Sequence, residues 1–415
     1  MHAVALTPAA EVDQDEVCAE SRPNVAVYLL FLVFGTGAWL TLNGSFSVLP
    51  LLVEHLPEGW RMASALAVAV QLANAGPALY MGVRWLALRF GRGHLEEHVA
   101  VVATYIVLAT GVISMFGLAA AWDTTMMFAG SEHSVAFVVL VFLAAFADCT
   151  SSVLFWRFAG EFPEVYMSAM GTGQGMSGVA TSLITWVQCV GCAEPNFSAS
   201  VYFVILAALV GLSAVAYTML LLRRPSHHGA NGASTAAELQ DDARSYRLGD
   251  SSSDVKGTTT AGLLGLQMWV NFLVNGTTLS CLPLAAKPYG VWVYQMAQNF
   301  TMLIDPVAAG LGLHIPLAAT ALIPVAVTMT ALHGYIFVLS LDATAPPLLF
   351  GGGGWMLIVV AALARALSAY TKVRINILFK VSDAGGSRLL NTAAHRASTA
   401  VKQRLMWSGV AMQCG

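Results

Sequence analysis

Long runs of apolar residues alternate with short polar segments along most of the chain. A helix needs about 20 apolar residues to cross a lipid bilayer, so each run of that length predicts a transmembrane span. The pattern predicts ten spans and an eleventh that begins near Leu405 and is cut off at Gly415. The ten spans are expected at residues 24–53, 61–83, 99–121, 134–156, 166–190, 199–222, 261–283, 289–312, 315–340 and 355–373.

The first apolar run contains residues that disfavour a continuous helix. Asn43-Gly44 and Pro50 lie inside it, and the chain is expected to leave the membrane at Leu56-Pro57-Glu58-Gly59-Trp60. Breaks of this kind free backbone groups that lipid cannot satisfy, so they face protein or a water-filled cavity. Two interpretations stay open: a packing kink with a hydrogen-bonded Asn, or one side of a small-molecule site.

Composition supports the membrane assignment. The chain has 415 residues, of which 57% are hydrophobic and 10% charged, whereas soluble domains carry about a quarter charged residues. We therefore expect an all-α polytopic membrane protein. Residues 1–23 lack the positive n-region of a signal peptide and are expected to form a cytosolic tail. Cys189 and Cys192 are close enough in sequence to pair, and the other cysteines are expected to be free thiols.

The distribution of Lys and Arg predicts the orientation. Positive charges accumulate in cytosolic loops, and placing the N-terminus in the cytosol leaves only Arg61 and Lys287 in outer loops. The sequon at Asn196 then lies in an outer loop and is a glycosylation candidate. Three other sequons, at Asn43, Asn275 and Asn299, fall within spans and are expected to be unmodified.

The order of the spans divides the chain into two halves. Residues 24–222 form a predicted six-helix bundle, and the Ser-, Gly- and charge-rich segment 223–260 forms a flexible cytosolic linker. Residues 261–415 form a second bundle with a basic cytosolic loop at 374–404 and an incomplete last helix. The order Asn43-Gly44, Leu49-Pro50 recurs as Asn275-Gly276, Leu282-Pro283. This repeat favours a major-facilitator-like 6+5 plan of two pseudo-symmetric bundles, with the site between them.

These motifs, taken in order, resemble those of solute carrier family 52, the riboflavin transporters of animals. The matching stretches are Trp39, Asn43-Gly44, Leu49-Pro50 and Leu56 to Trp60; Gln71 to Pro77; His133-Ser134, Asp148 to Val153 and Phe155; Gly173 to Gly178; Asn271, Asn275-Gly276, Tyr289-Gly290 and Tyr294; and Tyr370-x-Lys372-Val373. The chain departs from the family pattern at Phe46, Val48, Leu282 and Asp305, where the family has Trp, Glu, Gln and Asn.

The resemblance implies transport of riboflavin, a neutral flat ring with a polyol tail. A site for it needs aromatic faces, amides for the ring edge and hydroxyl partners, in a mostly apolar cavity. Helix-to-helix hydrogen bonding or core packing is the alternative role for each residue taken alone. The expected substrate-binding residues are Trp39, Asn43, Phe46, Asn74, Thr150, Ser151, Phe155, Gln174, Asn271, Asn275 and Tyr294.

Three ionisable residues lie deep in predicted spans. Asp148, Asp305 and Arg365 are each about nine residues, or ~13 Å, from a predicted cytosolic helix end. Charges inside a bilayer usually face a cavity or one another. We expect Asp305 and Arg365 to pair, with Asp148 opposite them; proton coupling through either carboxylate is the alternative.

The sequence thus predicts a carrier that takes riboflavin into the cytosol across the plasma membrane by alternating access. A nucleoside or nucleobase carrier, and a non-transporting flavin-binding receptor or fragment, are the alternatives. No metal-spaced cluster, catalytic pair or phosphate loop is evident, so we expect no enzymatic activity, no metal and no cofactor. The expected partners are riboflavin and the lipid bilayer, without nucleic acid; the sequence does not predict the oligomeric state.

Overall fold

The computed structural model describes residues 24–90, 96–128, 130–189, 192, 194–224, 260–315, 317, 321–341, 346, 348 and 351–386. Helices make up nearly all of this part of the chain. The first half contains α1 (Val25–Thr36), α2 (Leu40–Leu52), α3 (Met62–Ala73), α4 (Ala75–Arg89), α5 (Glu96–Ala121), α6 (Val135–Ala159), α7 (Glu164–Gln188) and α8 (Ala199–Leu222). The second half contains α9 (Thr260–Asn271), α10 (Leu279–Ala286), α11 (Val291–His314), α12 (Leu322–Leu341) and α13 (Gly353–Gly386).

Shorter elements join these helices. Single 3₁₀ turns lie at Gly59–Arg61 and Lys287–Tyr289, and a π-helical segment at Phe272–Thr278 connects α9 to α10. The loop between α5 and α6 forms an antiparallel hairpin of β1 (Met126–Phe128) and β2 (Ser131–His133). We call the end of the molecule that carries this hairpin the hairpin end, and the opposite end, where α8 terminates, the Arg224 end.

Each of the ten predicted spans coincides with one helix or with consecutive helices. The last of them was predicted to stop at residue 373, but α13 continues to Gly386. Ile375 and Leu378 explain the first part of this extension, because they pack with Leu263 and Leu322 in a small apolar cluster. The predicted eleventh span, the tail 1–23 and most of the linker 223–260 lie outside the described residues.

The polarity of the helices separates them into two sets. Among the described residues, six helices are long and apolar enough to cross a membrane, or seven if the bent pair α1 and α2 is one span. The long helices α7 and α11 are not in that set. Their polar residues lower the hydropathy, and these two helices pack against each other where the halves of the molecule meet.

The break in the first span lies earlier than the sequence predicted. Asn43-Gly44 and Pro50 are inside α2, whereas the chain bends by 51° between Thr36 and Leu40. Trp39 adopts a left-handed conformation there, with φ of 68°. Just before the bend, α1 packs tightly on α7: a Cβ atom on Gly35 would overlap the carbonyl oxygen of Met170.

Side chains satisfy the backbone groups that this break frees. Ser213 Oγ of α8 donates to the carbonyl oxygen of Phe34 at 2.9 Å. Oδ2 of Asp148 in α6 accepts the backbone N–H of Leu42, in the first turn of α2, at 2.8 Å. In the second half, Asn275-Gly276, which repeats the Asn43-Gly44 motif, lies in the π-helical segment.

The helices pack into two groups. In the first half, α1 packs on α7 and α8, and α5 packs on α6 and α8; in the second half, α13 packs on α11 and α12. The halves meet where α7 and α2 contact α11 and where α3 contacts α10. At the Arg224 end, the Arg224 guanidinium pairs with Glu97 and, at 2.6 Å, with Glu161, which joins α8 to α5 and to the turn after α6.

Candidate functional site: a polar seam between the two halves

A line of hydroxyl groups runs along one face of α7. Ser177, Thr181 and Thr185 are spaced by four residues, which places them one above the other on a helix. Asn43 Nδ2 of α2 donates to Ser177 Oγ at 2.9 Å, and Ser47 Oγ of α2 donates to Thr181 Oγ1 at 3.2 Å. The first two hydroxyls therefore bind the broken first span, whereas the third faces the other half of the molecule.

Thr185 joins the two halves. Its Oγ1 lies 3.2 Å from Nε2 of Gln295 and 3.2 Å from Oδ1 of Asn299, both on α11. All three side chains are fully buried. We call this set the polar seam; its members are Asn43, Ser47, Ser177, Thr181, Thr185, Gln295 and Asn299.

The polar seam has more hydrogen-bonding capacity than its own contacts use. Within the described structure, the seam atoms Gln295 Oε1 and Asn299 Nδ2 have no hydrogen-bond partner, and neither do Tyr294 Oη and Ser182 Oγ on the neighbouring parts of α11 and α7. Leaving a buried donor or acceptor unsatisfied costs about 1–3 kcal/mol. Groups of this kind, concentrated between two bundles, are the chemistry expected of a ligand site.

Towards the hairpin end, the halves close on each other. The rings of Trp60 and Tyr294 lie 5.7 Å apart across the junction. Ser64 Oγ of α3 donates to the carbonyl oxygen of Ser280 in α10 at 3.4 Å. In this conformation the polar seam is therefore covered at the hairpin end.

Several predicted site residues lie at or beside the polar seam. Asn43 belongs to it, and the carbonyl oxygen of Trp39 accepts the Asn43 backbone N–H at 2.9 Å, one turn away. Gln174 is one turn before Ser177 on α7 and is partly buried. Tyr294 precedes Gln295 and is 1% exposed. Asn43 and Tyr294 thus lie where the two halves meet, whereas Trp39 and Gln174 lie one helical turn from residues of the polar seam.

A second group lies between α6 and the junction of α3 with α4. Asn74 Nδ2 donates to Gln71 Oε1 at 3.0 Å. Helices α4 and α6 approach each other closely at Gly76, where an added Cβ atom would overlap Thr150 Oγ1. Ser151 Oγ donates within its own helix to the carbonyl oxygen of Asp148 at 2.7 Å.

The remaining predicted site residues lie in other surroundings. Phe155 packs on Phe34, with ring centroids 4.1 Å apart, in an aromatic cluster of the first half. Phe46 is 2% exposed and belongs to the apolar core. Asn271 donates from Nδ2 to the carbonyl oxygen of Gln267 at 2.8 Å, and Asn275 lies in the π-helical segment. The structure does not bring these four to the polar seam.

The predicted ion pair is confirmed. Arg365 Nε donates to Asp305 Oδ1 at 2.7 Å, and Arg365 Nη2 donates to Asp305 Oδ2 at 3.2 Å. Lys372 lies within electrostatic range of both side chains. The predicted third member, Asp148, has a different environment, because its carboxylate accepts the Leu42 backbone N–H at the start of α2.

Ser177, Thr181, Thr185 and Gln295 were not selected as site residues from the sequence. Spacing was the available signal: hydroxyl residues at every fourth position of α7, and amides at 295 and 299 of α11, form polar stripes on otherwise apolar helices. Which stripes face each other depends on how the helices pack.

Two predictions concern the hairpin end of α7. Cys189 and Cys192 form a disulfide, as predicted. Asn196 is exposed, and its Nδ2 donates to the carbonyl oxygen of Val187 at 2.6 Å. Ser198, the last residue of the sequon, caps α8 by accepting the Val201 backbone N–H. Glycosylation of Asn196 stays a prediction.

Comparison with solved structures gives matches of low similarity. The nucleoside transporter NupG is 17% identical, with a TM-score of 0.47 over 94% of this chain and 88% of that chain. The proton:xylose symporter XylE is 13% identical, with a TM-score of 0.46 over 94% of each chain.

Comparison of sequences gives a clearer result. The chain is 29% identical to "Riboflavin transporter 2" of Salmo salar over 433 residues, covering 88% of this chain and 91% of the relative. It is 28% identical to human "Solute carrier family 52, riboflavin transporter, member 1", covering 94% of this chain and 91% of that protein. The family model "Solute carrier family 52, riboflavin transporter" matches residues 23–415. The chain therefore belongs to solute carrier family 52, the riboflavin transporters.

Proposed function

We propose that this protein carries riboflavin across the plasma membrane into the cytosol. Family membership supports the substrate, and the polar seam supports the position of the site. The observation that carries the proposal is the row of buried hydroxyl and amide groups between two apolar bundles, with Thr185 of one half bonded to Gln295 and Asn299 of the other.

The chemistry of riboflavin suits this junction. The substrate is neutral, so the site needs hydrogen-bond partners and aromatic surface, without a fixed counter-ion. Asn43, Ser177 and Thr185 offer polar groups on one side of the junction, and Gln295 and Asn299 offer them on the other. Trp60 and Tyr294 offer aromatic rings at the covered end.

Alternating access requires that the halves separate at one end and then at the other. The contacts of Trp60 with Tyr294 and of Ser64 with Ser280 support a conformation in which the two halves are closed at the hairpin end. The distribution of Lys and Arg supports an outward-facing hairpin end and a cytosolic N-terminus. The bend at Thr36 to Leu40 and the π-helical segment at Phe272–Thr278 are the expected points of flexion, because the α-helical hydrogen-bond pattern is interrupted there.

Uptake of radiolabelled riboflavin by cells expressing the chain tests the proposal. We expect saturable uptake that is strongly reduced in Asn43→Ala, which loses the bond to Ser177. Thr328→Ala is the control, because Thr328 is exposed on α12 and its hydroxyl donates within its own helix. A surface-expressed protein that accumulates no riboflavin would refute the proposal. If nucleosides compete with the labelled riboflavin and flavin analogues do not, the protein is a nucleoside carrier instead. If vesicles bind riboflavin without accumulating it, the protein is a receptor.

A further inference from the structure

Two amides on α11 each have one free group inside the junction of the halves. Gln295 and Asn299 are four residues apart, so their side chains lie on one face of the helix. Gln295 uses its Nε2 donor on Thr185, and its Oε1 acceptor has no partner within the described structure. Asn299 uses its Oδ1 acceptor on Thr185, and its Nδ2 donor has no partner there. Both side chains are 0% exposed.

A neighbouring polar side chain on α11 is satisfied within its own helix. Thr301 Oγ1, two residues further along α11, donates to the carbonyl oxygen of Gln298 at 2.7 Å. Gln295 and Asn299 instead point across the junction to Thr185, whose single hydroxyl also lies 2.9 Å from the carbonyl oxygen of Ser182. Within the described structure it leaves Oε1 of Gln295 and Nδ2 of Asn299 without a partner. A free acceptor and a free donor, one helical turn apart, match a ligand that presents a donor beside an acceptor.

We propose that Gln295 and Asn299 are specificity-determining residues that recognise the imide edge of the flavin ring when the halves separate at the hairpin end. Gln295 Oε1 accepts the ring N3–H, and Asn299 Nδ2 donates to an adjacent ring carbonyl. Thr185 occupies the two amides while the junction is closed. The inference rests on the proposed function and adds to it the atoms that select the ring.

A pyrimidine nucleoside such as uridine carries the same imide edge on a single ring. The chemistry shared by the two compounds is a cyclic imide. The rings of Trp60 and Tyr294, which approach each other beside Gln295, favour the larger fused ring of a flavin, because extended aromatic surfaces stack with more contact area.

The test compares riboflavin with 3-methylriboflavin, which lacks the N3–H and keeps both carbonyls. Uptake kinetics are measured for the wild-type chain, for Gln295→Met and for Gln298→Met, with surface expression of each. We expect the wild-type kcat/KM to favour riboflavin by about tenfold, the effect of one buried hydrogen bond. In Gln295→Met, riboflavin uptake falls by a similar factor and the preference disappears. Gln298→Met is the matched control on the same helix and keeps the wild-type preference.

The outcomes separate the inference from the proposed function. A wild-type protein that transports neither compound contradicts the proposed function itself. If Gln295→Met transports riboflavin and still prefers it to 3-methylriboflavin as the wild type does, only the imide contact is overturned. The same holds if Gln298→Met loses the preference as fully as Gln295→Met. Uridine competition as strong as that of riboflavin, abolished by Gln295→Met, would assign the imide contact to a nucleoside and overturn the flavin assignment. If Gln295→Met does not reach the membrane, Gln295→Leu makes the same prediction.

Discussion

The carboxylate of Asp148 and the backbone N–H of Leu42 are separated by 106 positions in the chain and lie 2.8 Å apart. Leu42 is in the first turn of α2, where backbone N–H groups have no partner within the helix. A carboxylate at this position satisfies a donor and interacts favourably with the helix dipole. Asp148 thus stabilises the break that places the next residue, Asn43, against Ser177.

Removing this acceptor should weaken the fold in a graded manner. Asp148→Ala leaves a buried N–H unsatisfied and should lower the free energy of unfolding by about 2–3 kcal/mol. Asp148→Asn keeps an acceptor oxygen and should cost less. Thermal unfolding of the detergent-purified protein measures both, with the exposed Asp123→Asn as control. Equal losses in the Ala and Asn variants would argue against the hydrogen-bonding role.

The ion pair of Asp305 and Arg365 should show strong coupling between its members. Asp305→Asn alone leaves the guanidinium without its carboxylate inside a span and should reduce folded yield and riboflavin uptake. The expected loss is below the ~3–5 kcal/mol of a fully buried pair, because the side chains are 33% and 22% exposed.

The double variant Asp305→Asn with Arg365→Ser removes both charges and should recover yield and uptake. Surface expression and uptake are measured for the two single variants and the double variant side by side. A double variant no better than the worse single variant would show that the pairing is not what the fold requires.

The close approach of α1 to α7 predicts a steric effect at Gly35. A Cβ atom there would overlap the carbonyl oxygen of Met170, and a backbone atom cannot rotate away. Gly35→Ala should therefore destabilise the protein by about 1–3 kcal/mol. Gly211→Ala on α8 is the matched control, since a Cβ atom there meets nothing within 4 Å. A melting temperature for Gly35→Ala equal to that of the control would contradict this packing.

The pH dependence of stability should depend in part on Glu161, in the turn between α6 and α7. Burial raises the pKa of Glu161 above its ordinary value of 4.5 and outweighs the attraction of Arg224 and Arg157. The folded protein therefore binds this proton more tightly than the unfolded chain does. The resulting stabilisation is fully present below the unfolded pKa of about 4.5 and is lost as the pH rises through the folded pKa.

Glu161→Gln removes this titration. Above pH 4.5 the free energy of unfolding of the variant should therefore fall less steeply with pH than that of the wild type. Arg224→Met removes a charge that lowers the pKa of Glu161, so the loss of stability with rising pH should extend to higher pH. Chemical unfolding of the purified protein at a series of pH values gives the slopes. Identical slopes for the wild type and Glu161→Gln would exclude Glu161 as the source.

The sequence by itself determined the membrane class, the positions of the helices and the pairing of Asp305 with Arg365. These properties depend on local composition, on the length of apolar runs and on the high cost of an unpaired charge in a bilayer. Asn43 was also identified from the sequence, because an amide beside glycine and proline in an apolar run is conspicuous.

The tertiary structure alone decided where the first span bends, what Asp148 binds and which polar stripe faces which. The bend lies between Thr36 and Leu40, directly after the point where α1 touches α7 at Gly35. Asp148 meets Leu42, and Thr185 meets Gln295 and Asn299, across more than 100 positions of the chain. Helical periodicity shows which side chains share a face of one helix. It does not show which neighbouring helix that face contacts, because packing among all the helices fixes that relationship.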